Sequence, residues 1–150
     1  MKQHSIISTA FGNIKITAEK ESITHCQWTR EKVSQSPVAG ILSEAEKQLR
    51  FYFDKKLKKF DLLLNPEGTA FQKSVWQALI NIPYGKTCSY RDIAKNIGFP
   101  KAARAVGNAN GKNPICIFIP CHRVILSSGG IGGYSAGLPF KEKLLKMENL

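Results

Sequence analysis

The hydrophobic period of this chain changes part-way along, and that change constrains its fold more than any other feature. Ser5–Ala10, Asn13–Ala18 and Ser22–Trp28 are rich in Ile and Thr and partly alternate, the two-residue period of strands with one buried face. Gly12 and the charged stretch Glu19-Lys20-Glu21 divide them, so an antiparallel meander is expected. Residues 29–37 are polar and end in Ser36-Pro37, a loop. From Gly40 to Lys56 the period becomes helical: Leu42, Ala45, Leu49, Tyr52 and Phe53 share one stripe, with Glu and Lys opposite. Phe60–Leu64 is expected to add a strand, closed by Asn65-Pro66. A domain boundary falls near residues 65–69, giving units of 1–66 and 67–150.

Helix signals dominate the second unit. Thr69-Ala70-Phe71-Gln72 fits a capping box, opening a helix whose stripe is Phe71, Val75, Ala78 and Leu79, stopped by Pro83-Tyr84-Gly85. Ser89-Tyr90-Arg91-Asp92 approximates a second cap and starts a short helix carrying Ile93, Ala94 and Ile97. After Gly98-Phe99-Pro100 a third helix runs from Lys101 to about Ala109. Two short helices joined by a tight, Gly-containing turn make a helix-turn-helix. Residues 115–119 are apolar, Gly129–Gly133 reads as a wing or hairpin loop, and Leu144, Leu145 and Met147 sit on a closing helix. The fold class is therefore α+β: a small antiparallel sheet plus helix, then a helical, winged helix-turn-helix domain.

Charge sharpens this. Lys and Arg outnumber Asp and Glu 22 to 11, and the excess is uneven. Residues 1–68 hold 11 basic and 8 acidic side chains, whereas residues 69–150 hold 11 and 3. An excess gathered in one half points to a polyanion, because neutralising phosphates releases counterions. The third helix is unusual for a DNA reader. Its face is Ala102, Ala103, Ala105, Gly107, Asn108 and Ala109, with Arg104 the one large side chain in the middle. A bare helix fits a minor groove about 6 Å wide; it equally fits a tightly packed core. Lys101, Lys112 and Arg91 around it favour DNA.

With 43% hydrophobic and 9% aromatic residues the chain is a folded protein. No apolar run approaches the roughly 20 residues needed to span a bilayer, and Met1-Lys2-Gln3-His4 does not open a signal peptide. A cytoplasmic protein with no membrane partner is expected. Cys26, Cys88, Cys116 and Cys121 include no CxxC pair, so reduced thiols are expected. Cys116 and Cys121, an odd number of positions apart in an apolar, strand-like run, should face opposite ways.

Cys121 stands out chemically. Pro120 precedes it, and His122 and Arg123 follow; a nucleophilic Cys needs such a base or cation to become a thiolate at neutral pH. Neighbouring side chains in extended backbone diverge, which favours a water between the Cys and the His over direct contact. A carboxylate usually orients such a His, and the second half offers Asp92, Glu142 and Glu148.

Ile119-Pro120-Cys121-His122-Arg123-Val124 resembles the active-site motif of the O6-alkylguanine-DNA alkyltransferases, the methylated-DNA–protein-cysteine methyltransferases. Phe71-Gln72, Val75-Trp76, Ile82-Pro83-Tyr84-Gly85, Ser89-Tyr90, Arg104-Ala105-Val106-Gly107, Asn113-Pro114 and Gly133-Tyr134-Ser135 follow the family pattern in order. The likeness is strong over residues 69–150 and weak before them, where the family's fold is ribonuclease-H-like.

The resemblance implies a direct-reversal DNA-repair protein. It would flip O6-alkylguanine out of double-stranded DNA through the minor groove and move a methyl or small alkyl group irreversibly to Cys121. O4-alkylthymine would be a second substrate, and one molecule would act once, as a monomer, without cofactor or metal. His122 would activate Cys121 through water and Glu148 would orient His122. Asn113 would hydrogen-bond near the thiolate, and Tyr90 would help turn the nucleotide out and protonate the purine. Arg104 would fill the vacated stack beside Ala102 and Ala103. Tyr134 and Ser135 would cover the guanine while backbone groups of Cys121 and Val124 read its edge. Ala136 departs from the Gly of many relatives, and a methyl there could narrow the pocket. The zinc site of some relatives is not evident in His4, His25 and Cys26.

Three other readings compete. An alkyltransferase-like damage sensor would bind without transfer, but such proteins lack the acceptor Cys. A helix-turn-helix transcription factor would need more base-reading side chains. A Cys-His hydrolase would need an oxyanion site.

Overall fold

Two-residue turns and β-rich sequence build a three-stranded antiparallel sheet in the first half. In the computed structural model, which describes residues 2–149, the strands are β1 (Lys2–Thr9), β2 (Gly12–Glu19) and β3 (Ser22–Thr29), in the order β1-β2-β3. They run slightly longer than their Ile/Thr cores suggest, because β1 to β2 pairing continues from Thr9–Gly12 out to Lys2–Glu19. Helix α1 (Gly40–Phe53) lies on this sheet. Ile7, Ile14, Ile16, Ile23 and Cys26 are buried with Leu42, Ala45, Leu49 and Tyr52, each large aliphatic side chain contributing about 1.5–3 kcal/mol.

The expected strand at Phe60–Leu64 does not form. Only Leu64 bridges β3, through hydrogen bonds on either side of Ile23: Ile23 N–H donates to Leu63 O at 2.9 Å and Asn65 N–H to Ile23 O at 2.8 Å. The reason is local. The buried Gln48 side chain of α1 satisfies both backbone groups of Asp61, accepting from its N–H at 2.9 Å and donating to its carbonyl at 3.0 Å. Pro66 then lacks the donor that a longer ladder would require.

Residues 1–66 and 67–150 form separate compact units. The second holds helices α2 (Ala70–Ile80), α3 (Tyr90–Asn96), α4 (Ala103–Gly111) and α5 (Leu138–Glu148). Both capping boxes are complete: Thr69 with Gln72, and Ser89 with Asp92. Trp76 of α2 is buried and its indole N–H donates to Ala109 O of α4 at 2.9 Å, so a polar tip is satisfied inside the core. A two-residue parallel pair joins β4 (Cys88–Ser89) to β5 (Val124–Ile125). The 129–133 segment is not a β-hairpin wing. It is a turn in which Leu126 N–H donates to Gly130 O and Gly129 N–H to Leu126 O, and its repeated glycines favour turn over ladder.

Candidate active site

The apolar run before Cys121 does not stay extended. Ile117 has φ of +74°, a true outlier for a β-branched residue, and the chain doubles back there. Phe118 N–H donates to Cys116 O at 2.9 Å, Ile119 N–H to Ile115 O at 3.0 Å, and Cys121 N–H to Ile119 O at 2.8 Å. Buried Asn113 ties the loop from within, with its amide donating to Ile119 O at 2.8 Å and its Oδ1 accepting from Ile115 N–H at 3.0 Å. Cys121 then opens a 3-10 turn, Cys121–Arg123, and is 1% exposed.

The expectation that Cys116 and Cys121 face apart is therefore corrected. The count by twos assumed an extended chain that Ile117 interrupts, and the Cys116 thiol lies near enough to Cys121 to lower its pKa. Neither is in a disulfide. The Cys121 thiol lies below its ordinary pKa, first through the Cys116 thiol, against the opposing effect of burial, and then through Asn113 and the charge of Lys141. A sulfur so placed holds more thiolate than an ordinary Cys.

Behind it lies a fully buried acid–base pair. His122 Nε2 is 2.7 Å from Glu148 Oε2, while Arg123 clamps the same carboxylate from Nε at 2.8 Å and from its terminal nitrogen at 3.0 Å. Burial pushes the Glu148 carboxyl up, but hydrogen bonds from His122 and Arg123 outweigh it and leave it at about 2. An ionised carboxylate can only accept, so Nε2 carries the imidazole proton and Nδ1 the lone pair. Nδ1 is buried with no hydrogen-bond partner among the described residues. Burial holds His122 below its ordinary pKa, opposed by Glu148. The ring is a neutral base.

Lys141 completes the charge balance. It is 0% exposed, and its Nζ donates to Val124 O at 2.6 Å and to Gly133 O at 2.9 Å. Burial lowers its pKa to about 8, with the Cys121 charge opposing that shift. Tyr90, at the start of α3, is half-buried, with its ring 6.0 Å from Lys141 Nζ; burial pushes its phenol above the ordinary pKa. The loop reaches Tyr90 because Gly132 has φ of +76° and no side chain: a Cβ there would sit 2.9 Å from Tyr90 Oη. Tyr134 is half-buried and Ser135 exposed on the same loop. Among the charged groups of this unit, α4 presents Arg104 to solvent, with Arg91, Lys101 and Lys112 also exposed. Its Ala102 and Ala103 are partly exposed, while Val106, Ala109 and Asn110 face inward.

Two family models match the chain: the 6-O-methylguanine DNA methyltransferase DNA-binding domain over residues 70–150, and its ribonuclease-like domain over residues 3–66. The chain belongs to the 6-O-methylguanine DNA methyltransferase family. A methylated-DNA–protein-cysteine methyltransferase of Methanosarcina acetivorans is 48% identical over 97% of both chains. A namesake from Mycobacterium tuberculosis is 46% identical over 91% of this chain and 78% of its own. The crystal structure of the M. tuberculosis O6-methylguanine methyltransferase superposes with a TM-score of 0.89 at 42% identity, covering 99% of this chain and 93% of that one. The same enzyme in complex with DNA gives the same score, over 97% and 92%.

Against this family's pattern, Cys121, His122, Glu148, Asn113, Tyr90 and Val124 gather around one buried thiol, whereas Arg104, Ala102 and Ala103 lie apart on α4. Four residues were missed. Arg123 fixes the carboxylate, Lys141 supplies a cation, Cys116 lowers the pKa of the thiol, and Asn110 of α4 donates to Cys121 O at 3.3 Å. Lys141 had a signal, since it shares the stripe Lys141, Leu144 and Glu148 that α5 buries. No metal cluster of three or more His, Cys, Asp or Glu occurs among the described residues. His4 and His25 instead contact Thr17 and Thr24.

Proposed function

We propose that this protein repairs O6-alkylguanine in DNA by direct reversal, with Cys121 as a single-use acceptor. The observation that carries it is the buried Cys121 thiol, lowered in pKa, beside a Glu148-oriented imidazole whose Nδ1 is a lone-pair base. His122 takes the thiol proton by way of a water. The thiolate attacks the alkyl carbon in line; the S–C bond forms as the C–O6 bond breaks, and O6 keeps the electron pair. Tyr90 delivers a proton to the purine, so the proton lost at Cys121 is balanced at the base. The product thioether is a poor electrophile, and one turnover follows.

A duplex buries the alkyl carbon, so the base must leave the stack. Alkylation has already weakened its pairing. The small-residue face of α4, with Ala102 and Ala103, enters the minor groove, and Arg104 fills the gap. Tyr134 and Ser135 close over the guanine, and backbone groups of Cys121 and Val124 read its edge. The Val124 carbonyl already accepts from Lys141, and a carbonyl can accept a second bond. Methyl and small alkyl groups fit such a site, at guanine O6 and thymine O4. No helix of the described residues is long and apolar enough to cross a membrane, and the setting proposed is the cytoplasm, with the protein a monomer needing no cofactor.

Duplex DNA carrying radiolabelled O6-methylguanine tests this. The label moves to Cys121, one per chain, and Cys121→Ser abolishes transfer while sparing binding, since a hydroxyl is far harder to ionise. Binding without transfer would instead make the protein a damage sensor. Multiple turnover, or label on Cys26, Cys88 or Cys116, refutes the proposal.

A further inference from the structure

The geometry points to Phe99 as a second contact with duplex DNA. Its ring, presented by the turn between α3 and α4 and braced by Phe71 of α2, presses into the minor groove beside α4. The inference rests on the reading that α4 enters that groove. Phe99 is 54% exposed, the most exposed large hydrophobic side chain among the described residues of its unit. Its backbone is fixed without the ring. Gly98 turns the chain at φ of +88°, Phe99 N–H donates to Ala94 O at 2.9 Å, and Ala102 N–H donates to Phe99 O at 2.9 Å. Pro100 then sets the next φ, and Val75, Ile93, Ala94 and Val106 are buried in the helical core. The exposed ring is nonetheless held. It meets Phe71 edge to face, with centroids 5.9 Å apart and planes at 65°, an arrangement that adds to simple contact. An aromatic side chain held still in water is preorganised for a partner, because little rotamer freedom is left to lose on binding.

The surroundings name the partner. Lys73 on α2, Lys95 on α3, Lys101 in the turn and Arg104 on α4 are all exposed. Between Thr69 and Phe140 the sequence holds one acid, Asp92, and its carboxylate accepts from Ser89 N–H at 3.2 Å. An apolar ring set among cations suits a polyanion that carries apolar surface close to its charges. Duplex DNA supplies both, phosphates for the cations and base edges between them. Minor-groove proteins press apolar side chains, Phe among them, against base steps. Phe99 lies five residues before Arg104, so the two side chains divide the work: Arg104 at the vacated stack, Phe99 on paired DNA beside it. The ring then serves duplex binding and not the transfer chemistry at Cys121.

The test compares wild type with Phe99→Asn, Phe99→Leu and Phe99→Trp in the full chain. Duplex-binding isotherms are measured at several salt concentrations, and transfer is followed from O6-methylguanine as the free base. Phe99→Asn is expected to weaken duplex binding about tenfold, as for the loss of roughly half a buried Phe side chain. Its salt dependence is expected to match wild type, because no phosphate contact is lost. Phe99→Leu keeps an apolar side chain and is expected to recover most of the affinity. Transfer from the free base is expected to stay at the wild-type rate in all three, since there is no duplex to touch. In Phe99→Trp the added indole is expected to lose emission as duplex is titrated in, beyond any change that Trp28 and Trp76 show in wild type. Unchanged affinity in Phe99→Asn, or an added indole that does not respond to duplex, overturns the proposal. Equal losses on duplex and free base also overturn it, by making the ring a packing element of the fold. A wild type that binds duplex but never accepts label would refute the repair reading, while the isotherms would still decide the part of Phe99.

Discussion

His122 Nε2 and Glu148 Oε2 lie 2.7 Å apart, both side chains essentially without solvent, and the same carboxylate takes two hydrogen bonds from Arg123. One acid thus sets the tautomer of the base and neutralises a buried guanidinium.

Glu148→Gln should therefore cost stability and rate together. Removing one partner of a buried pair leaves Arg123 uncompensated, at about 3–5 kcal/mol. The pH dependence has a definite sign. The folded Glu148 pKa, about 2, is below its ordinary 4.5. Its stabilisation is therefore full above pH 4.5 and is lost as pH falls towards 2, about 3 kcal/mol in all. Denaturant melts of wild type and Glu148→Gln between pH 5 and 2 check this; parallel curves would refute it. The transfer rate is expected to fall because glutamine also presents an N–H, which can turn His122 to the wrong tautomer.

Lys141→Met isolates the cation. At neutral pH Lys141 is charged, so its loss is expected to raise the Cys121 pKa and slow transfer several-fold. Above about pH 8 wild-type Lys141 is itself losing its proton. The gap between wild type and variant should then close. A constant ratio of rates from pH 7 to 9.5 would show that Lys141 acts through its two carbonyl bonds and not through charge.

Arg104→Ala addresses flipping. Arg104 is exposed on α4, outside the buried cluster. The variant should bind and repair duplex more weakly, with a smaller loss on O6-methylguanine as the free base, where no stack needs filling. Equal losses on both substrates would make Arg104 a structural residue.

How much of this was legible depends on whether local rules applied. The two capping boxes were readable because Thr69–Gln72 and Ser89–Asp92 close within one turn of helix. The meander was readable because Ile14 and Ile16 obey the period of two. The strand at residues 60–64 was misread because its donors and acceptors are taken by Gln48, from another element. The course of the chain between Cys116 and Cys121 was misread because Ile117 reverses it with no glycine to announce the turn. The role expected of Glu148 came from family likeness, since 26 residues separate it from His122 and no periodicity spans that gap. Lys141 shows the remaining difficulty: its place on a buried stripe was visible, but a buried cation is rare enough that burial alone would not suggest it.

The spent protein is expected to be less stable than the fresh one. Cys121 is 1% exposed, so an S-methyl group adds volume where packing is tight, at about 1–3 kcal/mol. The sulfur also loses its charge. The Asn113 amide and the Lys141 ammonium, which favour the thiolate, then face a thioether, a weak acceptor, and a buried donor without a partner costs roughly another 1–3 kcal/mol. Against a total stability of about 5–15 kcal/mol, the melting temperature should fall by several degrees. The loss also reaches α4. Asn110 donates from that helix to the Cys121 carbonyl at 3.3 Å, and Asn113 follows its end directly, so displacement of Cys121 pulls on the helix assigned to DNA. Methylated protein should therefore release duplex more readily as well as melt lower. Paired thermal melts and duplex-binding isotherms of the unmodified and stoichiometrically methylated forms check both. An equal or higher melting temperature after methylation would mean that the site has room for the methyl group and that Cys121 is held less tightly than its burial implies.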